Sequence, residues 1–139
     1  MPKLFSSLEL GTERIREIVL SLRNFSRLDE AEVKSVDIHE GLDNTLLILQ
    51  HRLKPNSLHS TIELIKHYGE LPLVECFAGQ LNQVFMNLLS NAIDAVEDSC
   101  RKSLKSGKER HHPIITIKTQ LLENDWVQIS IKDNGIGIN

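Results

Sequence analysis

Long apolar runs, paired cysteines and an excess of charge are all missing from this sequence of 139 residues. No apolar run approaches the roughly 20 residues of a membrane-spanning helix, so we expect no membrane segment here, although a parent protein could be tethered elsewhere. The only cysteines, Cys76 and Cys100, lack CxxC spacing, and no signal peptide opens the chain. These features favour a reducing, cytoplasmic location, and a net charge of −3 gives no reason to expect nucleic-acid binding.

The residues that are present suffice for one compact domain with an N-terminal appendage. Between Leu8 and Phe25 the apolar residues follow a seven-residue repeat, which is typical of a coiled coil or a helical bundle. The repeat, called the seam below, consists of Leu8, Ile15, Ile18, Leu22 and Phe25, with Gly11 at its one weak position. It favours a helix paired with a partner helix; a terminal helix packed on its own domain is the alternative. Residues 28–37 are interpreted as a short acidic linker.

The rest of the chain alternates between helical and strand patterns. The predicted elements are a helix from Ile38 to Lys54, two short strands joined by a turn at Gly69, a helix from Ala78 to Ser99, a basic loop, and two strands around a turn at residues 123–125. Asp37 and Glu40 are placed as a capping box for the first of these helices. The order predicts an α+β fold in which helices cover one face of a mixed sheet.

One edge of the helix predicted from Ala78 carries a row of carboxamides. Gln83, Asn87 and Asn91 recur every four residues and therefore line up along the helix. Because an unpaired buried amide costs about 1–3 kcal/mol, we expect something polar against this edge. Two interpretations stay open: the amides bond to neighbouring backbone and water, or an amide oxygen binds a hard cation such as magnesium.

The motif DNGIGI, residues 133–138, ends the last predicted strand. Gly135 and Gly137 would let the backbone turn sharply and approach a ligand, while the Asp133 carboxylate can accept a hydrogen bond from an amino group. Alone, such a motif is most often an ordinary turn. Together with the carboxamide row, it could hold the opposite end of one nucleotide.

These two motifs carry a family resemblance. QLNQVFMNLLSNAIDAV resembles the N box, and KDNGIGI the first glycine box, of the GHKL ATPase superfamily. Residues 11–49 are similar to the second dimerisation helix of sensor histidine kinases and its entry into their catalytic ATP-binding domain. The resemblance assigns residues 1–32 to the dimerisation and phosphotransfer bundle, as a long helix. It assigns residues 33–139 to the N-terminal part of the catalytic domain, an incomplete GHKL-type α/β sandwich.

The resemblance also implies an activity and a set of binding residues. Enzymes of this family bind ATP and magnesium, phosphorylate a histidine on a dimeric bundle, and pass the phosphate to the receiver domain of a response regulator. By this resemblance Asn91 would ligate magnesium and Asn87 would lie near the phosphates of ATP or ADP. Asp133 would accept a hydrogen bond from the adenine amino group, with Gly135 and Gly137 forming the turn beside the base.

Two features depart from the family pattern. Asp94 stands where many histidine kinases have a basic residue, so it is not expected to contact phosphate and could instead hold a water or the helix end. None of the histidines has the acidic, bundle-helix context of a phosphoacceptor, and each is expected to be exposed or structural. They are His39, His51, His59, His67, His111 and His112. No catalytic residue is therefore predicted in this chain.

The resemblance implies further parts that would follow Asn139: an ATP lid, a second glycine box and closing strands. We therefore expect the chain to be inactive alone, and expect the unpaired sheet edge to favour a homodimer or a swapped oligomer. Two functions stay open. The chain is part of an ATP-dependent histidine kinase with weak nucleotide affinity, or it is a non-catalytic dimerisation or interaction fragment that binds no nucleotide measurably.

Overall fold

The computed structural model describes residues 3–4, 8–10, 13–21, 34–57, 59–105, 107 and 112–134. The strands in these ranges are Lys3–Leu4 (β1), Leu8–Leu10 (β2), Glu13–Ser21 (β3), Lys34–Val36 (β4), Glu63–Tyr68 (β5), Val74–Cys76 (β6), Ile114–Leu122 (β7) and Trp126–Asp133 (β8). The helices are Ile38–Ile48 (α1), Gln50–Leu53 (α2) and Ala78–Lys105 (α3), and a 3-10 turn, Glu123–Asp125, joins β7 to β8.

A mixed sheet with the strand order β1-β3-β8-β7-β5 forms one layer, and β2 also pairs with β3. Strand β5 runs parallel to β7, while the other neighbours in this sheet are antiparallel. Helices α1 and α3 pack together over one face, and their apolar residues share a core with those of β7 and β8. The predicted α+β fold with helices on one face of a mixed sheet is therefore confirmed.

Strict alternation explains why β7 and β8 lie at the centre of the sheet. In β8, Val127, Ile129 and Ile131 are buried, while the residues between them are only half-buried. Strand β7 repeats the pattern with Ile115 and Ile117. Because side chains alternate between the two faces of a strand, this pattern directs one face toward the helices and leaves the other polar.

Helix α1 begins and approaches α3 as its sequence dictates. The Asp37 side chain accepts hydrogen bonds from the backbone nitrogens of His39 (3.0 Å) and Glu40 (3.3 Å), which confirms Asp37 as the N-cap. Gly41 then faces α3 closely: a Cβ atom there would lie 3.2 Å from a ring carbon of Phe85. The helix ends at Ile48 and α2 follows as a separate turn, so the single helix predicted to Lys54 is divided.

The two short strands predicted on either side of Gly69 do not form a hairpin. Strand β5 joins the main sheet beside β7, whereas β6 pairs with β4 in a separate two-stranded sheet, so β4 replaces part of the predicted linker. The Gly69 nitrogen donates to the backbone oxygen of Thr119 (3.1 Å), and a Cβ atom on Gly69 would lie only 2.8 Å from that oxygen. Because glycine has no Cβ atom, the chain can pass this close to the backbone of β7 as it leaves β5.

The helix predicted between Leu8 and Phe25 is wrong where the structure describes it, because β2 and β3 lie there. Strand β3 runs antiparallel along the whole of β8, with Arg14 opposite Asp133 and Ser21 opposite Trp126. The edge of β8 that we expected to be unpaired is thus covered by the chain's own N-terminal strand. The division of the chain at residue 32 and the oligomeric state stay predictions.

The burial of β3 gives the physical reason for this difference. Ile18 and Leu20 are 0% and 3% exposed and join the core beside the apolar residues of β8. A heptad pattern is a local signal, whereas the backbone groups and the apolar face offered by β8 exist only once the sheet has formed. Pairing with β8 satisfies those groups, so tertiary structure overrides the helical pattern.

Four side chains fasten α1 to the edge strand β5. The Asp43 carboxylate accepts hydrogen bonds from the Lys66 ammonium (2.9 Å) and the Tyr68 hydroxyl (2.8 Å), and the His39 ring stacks on Tyr68 with 4.2 Å between ring centres. Burial acts to raise the pKa of Asp43, but the hydrogen bonds from Lys66 and Tyr68 outweigh it and lower that pKa. Burial and the bond to Asp43 raise the pKa of Tyr68.

We expect Asp43→Asn to destabilise the fold at pH 7 by up to about 1 kcal/mol, because exposed ion pairs contribute little more. The folded state lowers the pKa of Asp43, so its contribution is present above the unfolded value of about 4 and is lost as the pH falls through the folded value. Urea unfolding at pH 7 and pH 3 should show a difference from the parent only at pH 7. Glu70→Gln, an exposed acid, is the control, and an equal loss at both pH values would contradict the assignment.

Candidate functional site

The carboxamide row lies on the solvent side of α3. Gln83, Asn87 and Asn91 are all exposed, whereas their neighbours Leu88 and Leu89 are buried against the sheet. The amides therefore incur no burial penalty. The polar group that we expected against this edge of α3 is not needed to satisfy them. Their oxygens face solvent on a helix of 28 residues that is fixed by its apolar side.

Asp133 occupies a different environment at the last position of β8. Its side chain is 2% exposed and lies on the same face of the strand as Ile129 and Ile131, toward the helical layer. Helix α3, which carries the carboxamides, packs directly on β8, the strand that ends at Asp133. The structure thus places Asp133 as a buried carboxylate at the end of the strand.

Asn134 fixes this strand end, a role that the sequence reasoning missed. Its side-chain oxygen accepts from the Ile114 nitrogen (2.7 Å), its amide nitrogen donates to the His112 oxygen (2.9 Å), and its backbone nitrogen donates to the Ile114 oxygen (3.1 Å). These bonds continue the β7 ladder by one residue beyond Asp133. The asparagine within the DNG turn was the available signal, since asparagine side chains often replace backbone partners at turns. Gly135 and Gly137 lie outside the described residues.

A depression of about 440 Å³ lies on the opposite, polar face of the sheet and is a poor candidate for the site. Its lining comes from β3, β5, β7 and β8 and includes Glu17, Lys118, Ser130 and Lys132. Asn87, Asn91 and Asp133, the predicted binding residues that the structure describes, do not border it. Asn87 and Asn91 lie on the helical side of the sheet, whereas Asp133 borders a smaller depression of about 230 Å³ at the end of β8.

Asp94 is explained by an ion pair with α2. Its carboxylate lies 2.6 Å from the Arg52 guanidinium, and the same guanidinium nitrogen lies 2.9 Å from the Glu97 carboxylate. The pKa of Arg52 is raised, chiefly by the bond to Asp94. The acid that departs from the family pattern therefore fastens α2 to α3, one turn beyond Asn91, and no separate role at the helix end is needed.

His59 extends this network into the core. Its side chain is 0% exposed, and Nε2 lies 3.3 Å from the Glu97 carboxylate and 3.2 Å from the Asn56 amide nitrogen. Nδ1 bonds to the Ser60 backbone oxygen, which can only accept, so Nδ1 carries a proton. The expectation that His59 is structural fits this geometry. His39 and His112 also bond to protein partners, Thr119 and Glu63.

We expect the two acids that bind Arg52 to differ in their contribution to stability. Asp94 is 63% exposed, so Asp94→Asn should cost less than about 1 kcal/mol. Glu97 is 18% exposed and contacts both Arg52 and His59, so Glu97→Ala should cost about 1–3 kcal/mol. Urea unfolding at pH 7 measures both values. Equal costs would show that the contact between Glu97 and His59 contributes nothing.

In the part of the chain that the structure describes, no cluster of three or more histidine, cysteine, aspartate or glutamate side chains could hold a metal ion. Within the same part of the chain, no helix is both long and apolar enough to span a membrane.

Comparison with known proteins identifies the class to which the two motifs belong. Residues 78–139, from the start of α3 to the glycine motif, match the family of histidine kinase-, DNA gyrase B-, and HSP90-like ATPases. The predicted resemblance to the GHKL ATPase superfamily is therefore confirmed over these residues.

The most informative relatives extend over nearly the whole chain. It is 25% identical over 134 residues to Sporulation kinase E of Bacillus subtilis, an alignment that covers 96% of this chain and 16% of that protein. It is 28% identical over 131 residues to Phytochrome-like protein Cph1 of Synechocystis, covering 93% of this chain and 15% of that protein. Cyanobacterial phytochrome A of Nostoc is 26% identical over 131 residues. The chain thus spans about one sixth of these relatives, and the matches support a fragment of a sensor histidine kinase catalytic domain.

Proposed function

We propose that this chain binds ATP or ADP together with magnesium, as part of a two-component sensor histidine kinase. The parent enzyme would phosphorylate a histidine and pass the phosphate to the receiver domain of a response regulator. It would work in the cytoplasm as a homodimer. The ATPase family match and the similarity to a sporulation kinase support the nucleotide and the kinase class.

The observation that carries this proposal is the position of Asp133 at the last residue of β8, directly before the glycine motif. A carboxylate can accept hydrogen bonds from several N–H donors at once. The adenine amino group is a donor of this kind. Asp133 would therefore recognise the base, with Gly135 and Gly137 allowing the chain to turn beside it.

The exposed amides of α3 suit the other end of the nucleotide. Magnesium takes oxygen ligands and is commonly held by one or two protein groups together with water and substrate phosphates. The Asn91 oxygen would be such a ligand, and Asn87, one turn earlier, would lie near the phosphates. Magnesium would supply charge neutralisation for the phosphates. The residues present fit this role, because their amides are exposed on a rigid helix.

Calorimetric titration of the chain with ADP and magnesium tests the proposal. We expect measurable heat from the parent protein, and none from Asp133→Ala even at millimolar ADP. Asp98→Ala removes the same charge from the exposed side of α3 and should bind as the parent does. Circular dichroism should show that each variant is folded, and Asp133→Asn, which preserves the side-chain volume, should still bind at least tenfold more weakly.

The alternative is a dimerisation or interaction fragment that binds no nucleotide. An absence of heat from the parent protein at millimolar ADP and magnesium would establish it in place of nucleotide binding. Binding that survives Asp133→Ala would show that a nucleotide site exists elsewhere.

A further inference from the structure

The ion pair between Arg52 and Asp94 lies on the edge of α3 that carries the carboxamides. Asp94 follows Asn91 by three positions and Asn87 by seven, which are the spacings of neighbours on one side of a helix. An α-helix rises about 1.5 Å per residue, so Asp94 is only about 4.5 Å beyond Asn91 along the axis. The Arg52 guanidinium, 2.6 Å from the Asp94 carboxylate, is therefore held beside the proposed position of the phosphates.

This stretch of α3 has no basic residue of its own. Residues 78–100 contain no lysine, arginine or histidine. Arg101, the first basic residue of the helix, is ten positions past Asn91, or about 15 Å along the axis, and it pairs with Asp98. A phosphate beside the carboxamides would therefore need its positive partner from another element, and α2 supplies one in Arg52.

Only one nitrogen of the Arg52 guanidinium is occupied by protein. Nη2 lies 2.6 Å from an oxygen of Asp94 and 2.9 Å from an oxygen of Glu97, and among the described residues Nε and Nη1 have no bonding partner. These two nitrogens carry three of the five N–H donors of the planar fork. Such a fork can donate to two oxygens of one phosphate group. The side chain can therefore keep a protein partner and bind an anion at the same time.

The two acids hold Arg52 with unequal strength. Glu97 is 18% exposed, and its second oxygen lies 3.3 Å from the buried His59 ring. Asp94 is 63% exposed, and ion pairs in such a position are weak because water solvates both charges. A phosphate near Asn91 would repel the Asp94 carboxylate and attract the guanidinium. Asp94 can then turn into solvent, while Glu97 keeps α2 against α3.

We infer that Arg52 binds a phosphate group of the nucleotide, and that Asp94 holds the guanidinium until the nucleotide displaces it. The ligand class is a nucleoside di- or triphosphate, since an uncharged nucleoside offers no partner to Arg52. Asp94 lowers the affinity, because its bond to Arg52 is lost on binding. The inference rests on the nucleotide site of the proposed function and adds to it a residue from α2, outside both sequence motifs.

Arg52→Gln tests the contact with phosphate. The affinity for ADP in magnesium should fall about tenfold or more in calorimetric titration, because a charge-assisted hydrogen bond is lost. The affinity for adenosine, measured by NMR titration, should not change. Arg101→Gln removes the same charge from an exposed ion pair of α3 and should bind both ligands as the parent does. An equal loss of affinity for both ligands in Arg52→Gln would show that Arg52 acts only through the fold, and would overturn the inference.

Asp94→Asn should change the affinity in the opposite direction, and it keeps Arg52 if Arg52→Gln does not fold. The variant removes the competing carboxylate, so the affinity for ADP should rise about threefold. The double variant Arg52→Gln/Asp94→Asn separates competition from simple charge removal. Competition for Arg52 predicts a smaller rise in the absence of Arg52, whereas removal of a negative charge alone predicts an equal rise. An equal rise, or no rise in Asp94→Asn, contradicts the inference.

The inference and the proposed function can be distinguished by their failures. If the parent and Arg52→Gln bind ADP equally while Asp133→Ala abolishes the heat, the nucleotide site stands and Arg52 has no part in it. If the parent gives no heat with ADP and magnesium, the proposed function fails and the inference fails with it.

Discussion

Asn91→Ala should abolish the contribution of magnesium to nucleotide affinity. If the Asn91 oxygen ligates the ion, the affinity for ADP in magnesium should fall at least tenfold, which corresponds to about 1.4 kcal/mol. The affinity in EDTA should not change, because the base would still be held by Asp133. Alanine is the best helix former, and position 91 is exposed, so α3 should remain intact. Calorimetric titration with and without magnesium measures the difference.

Gln83→Ala is the matched control for this prediction. Gln83 is an exposed carboxamide on the same edge of α3, two turns before Asn91. It should keep the full difference between titrations in magnesium and in EDTA. If Asn91→Ala also keeps that difference, Asn91 is not the ligand. A loss in both conditions would instead indicate that Asn91 contacts the nucleotide itself, a result that contradicts the assignment to the metal.

Phe85→Ala should produce the largest loss of stability of any single substitution proposed. Phe85 is 0% exposed and lies at the contact between α3 and Gly41 of α1. Truncation of a buried phenylalanine typically costs about 3–5 kcal/mol, because the site loses both apolar burial and packing. Small domains have a total stability of about 5–15 kcal/mol, so this loss should leave the chain partly unfolded at 37 °C. Urea unfolding measures the change.

Phe85→Leu distinguishes lost volume from lost ring geometry. Leucine retains much of the apolar volume, so its cost should be about 1 kcal/mol. A cost for Phe85→Ala below that value would show that α1 moves into the cavity and that the contact at Gly41 is adaptable. The result matters for the candidate site, because Phe85 and Asn87 lie on the same part of α3. A shift of the helix at Phe85 would therefore also move Asn87.

The periodicity of apolar residues sufficed to predict the elements that bury one whole face. Helix α3 was predicted from its helical apolar stripe and β7 and β8 from strict alternation, although α3 continues past Ser99 to Lys105. These segments bury a full face against neighbours, so their local pattern and tertiary environment agree. The candidate residues Asn87, Asn91 and Asp133 lie on them.

The elements that sequence reasoning placed wrongly are those whose partners are distant in the chain. The parallel pairing of β5 with β7 depends on the helical layer between them, and local turn chemistry at Gly69 indicated a hairpin instead. Residues 13–21 have a convincing seam, and only the edge of β8 makes the strand favourable. Arg52 and His59 were unremarkable in the sequence for the same reason, since their partners Asp94 and Glu97 lie about forty positions away on another helix.

The pairing of β3 with β8 also sets an order of events during synthesis. Arg14 and Asp133 are opposite each other although more than a hundred positions separate them, so β3 leaves the ribosome long before its partner strand exists. At typical elongation rates the interval is on the order of ten seconds, which is far longer than helix formation requires. Until β8 has been made, Ile18 and Leu20 have no partner strand to bury them, so this half of the sheet can form only when nearly the whole chain has been synthesised.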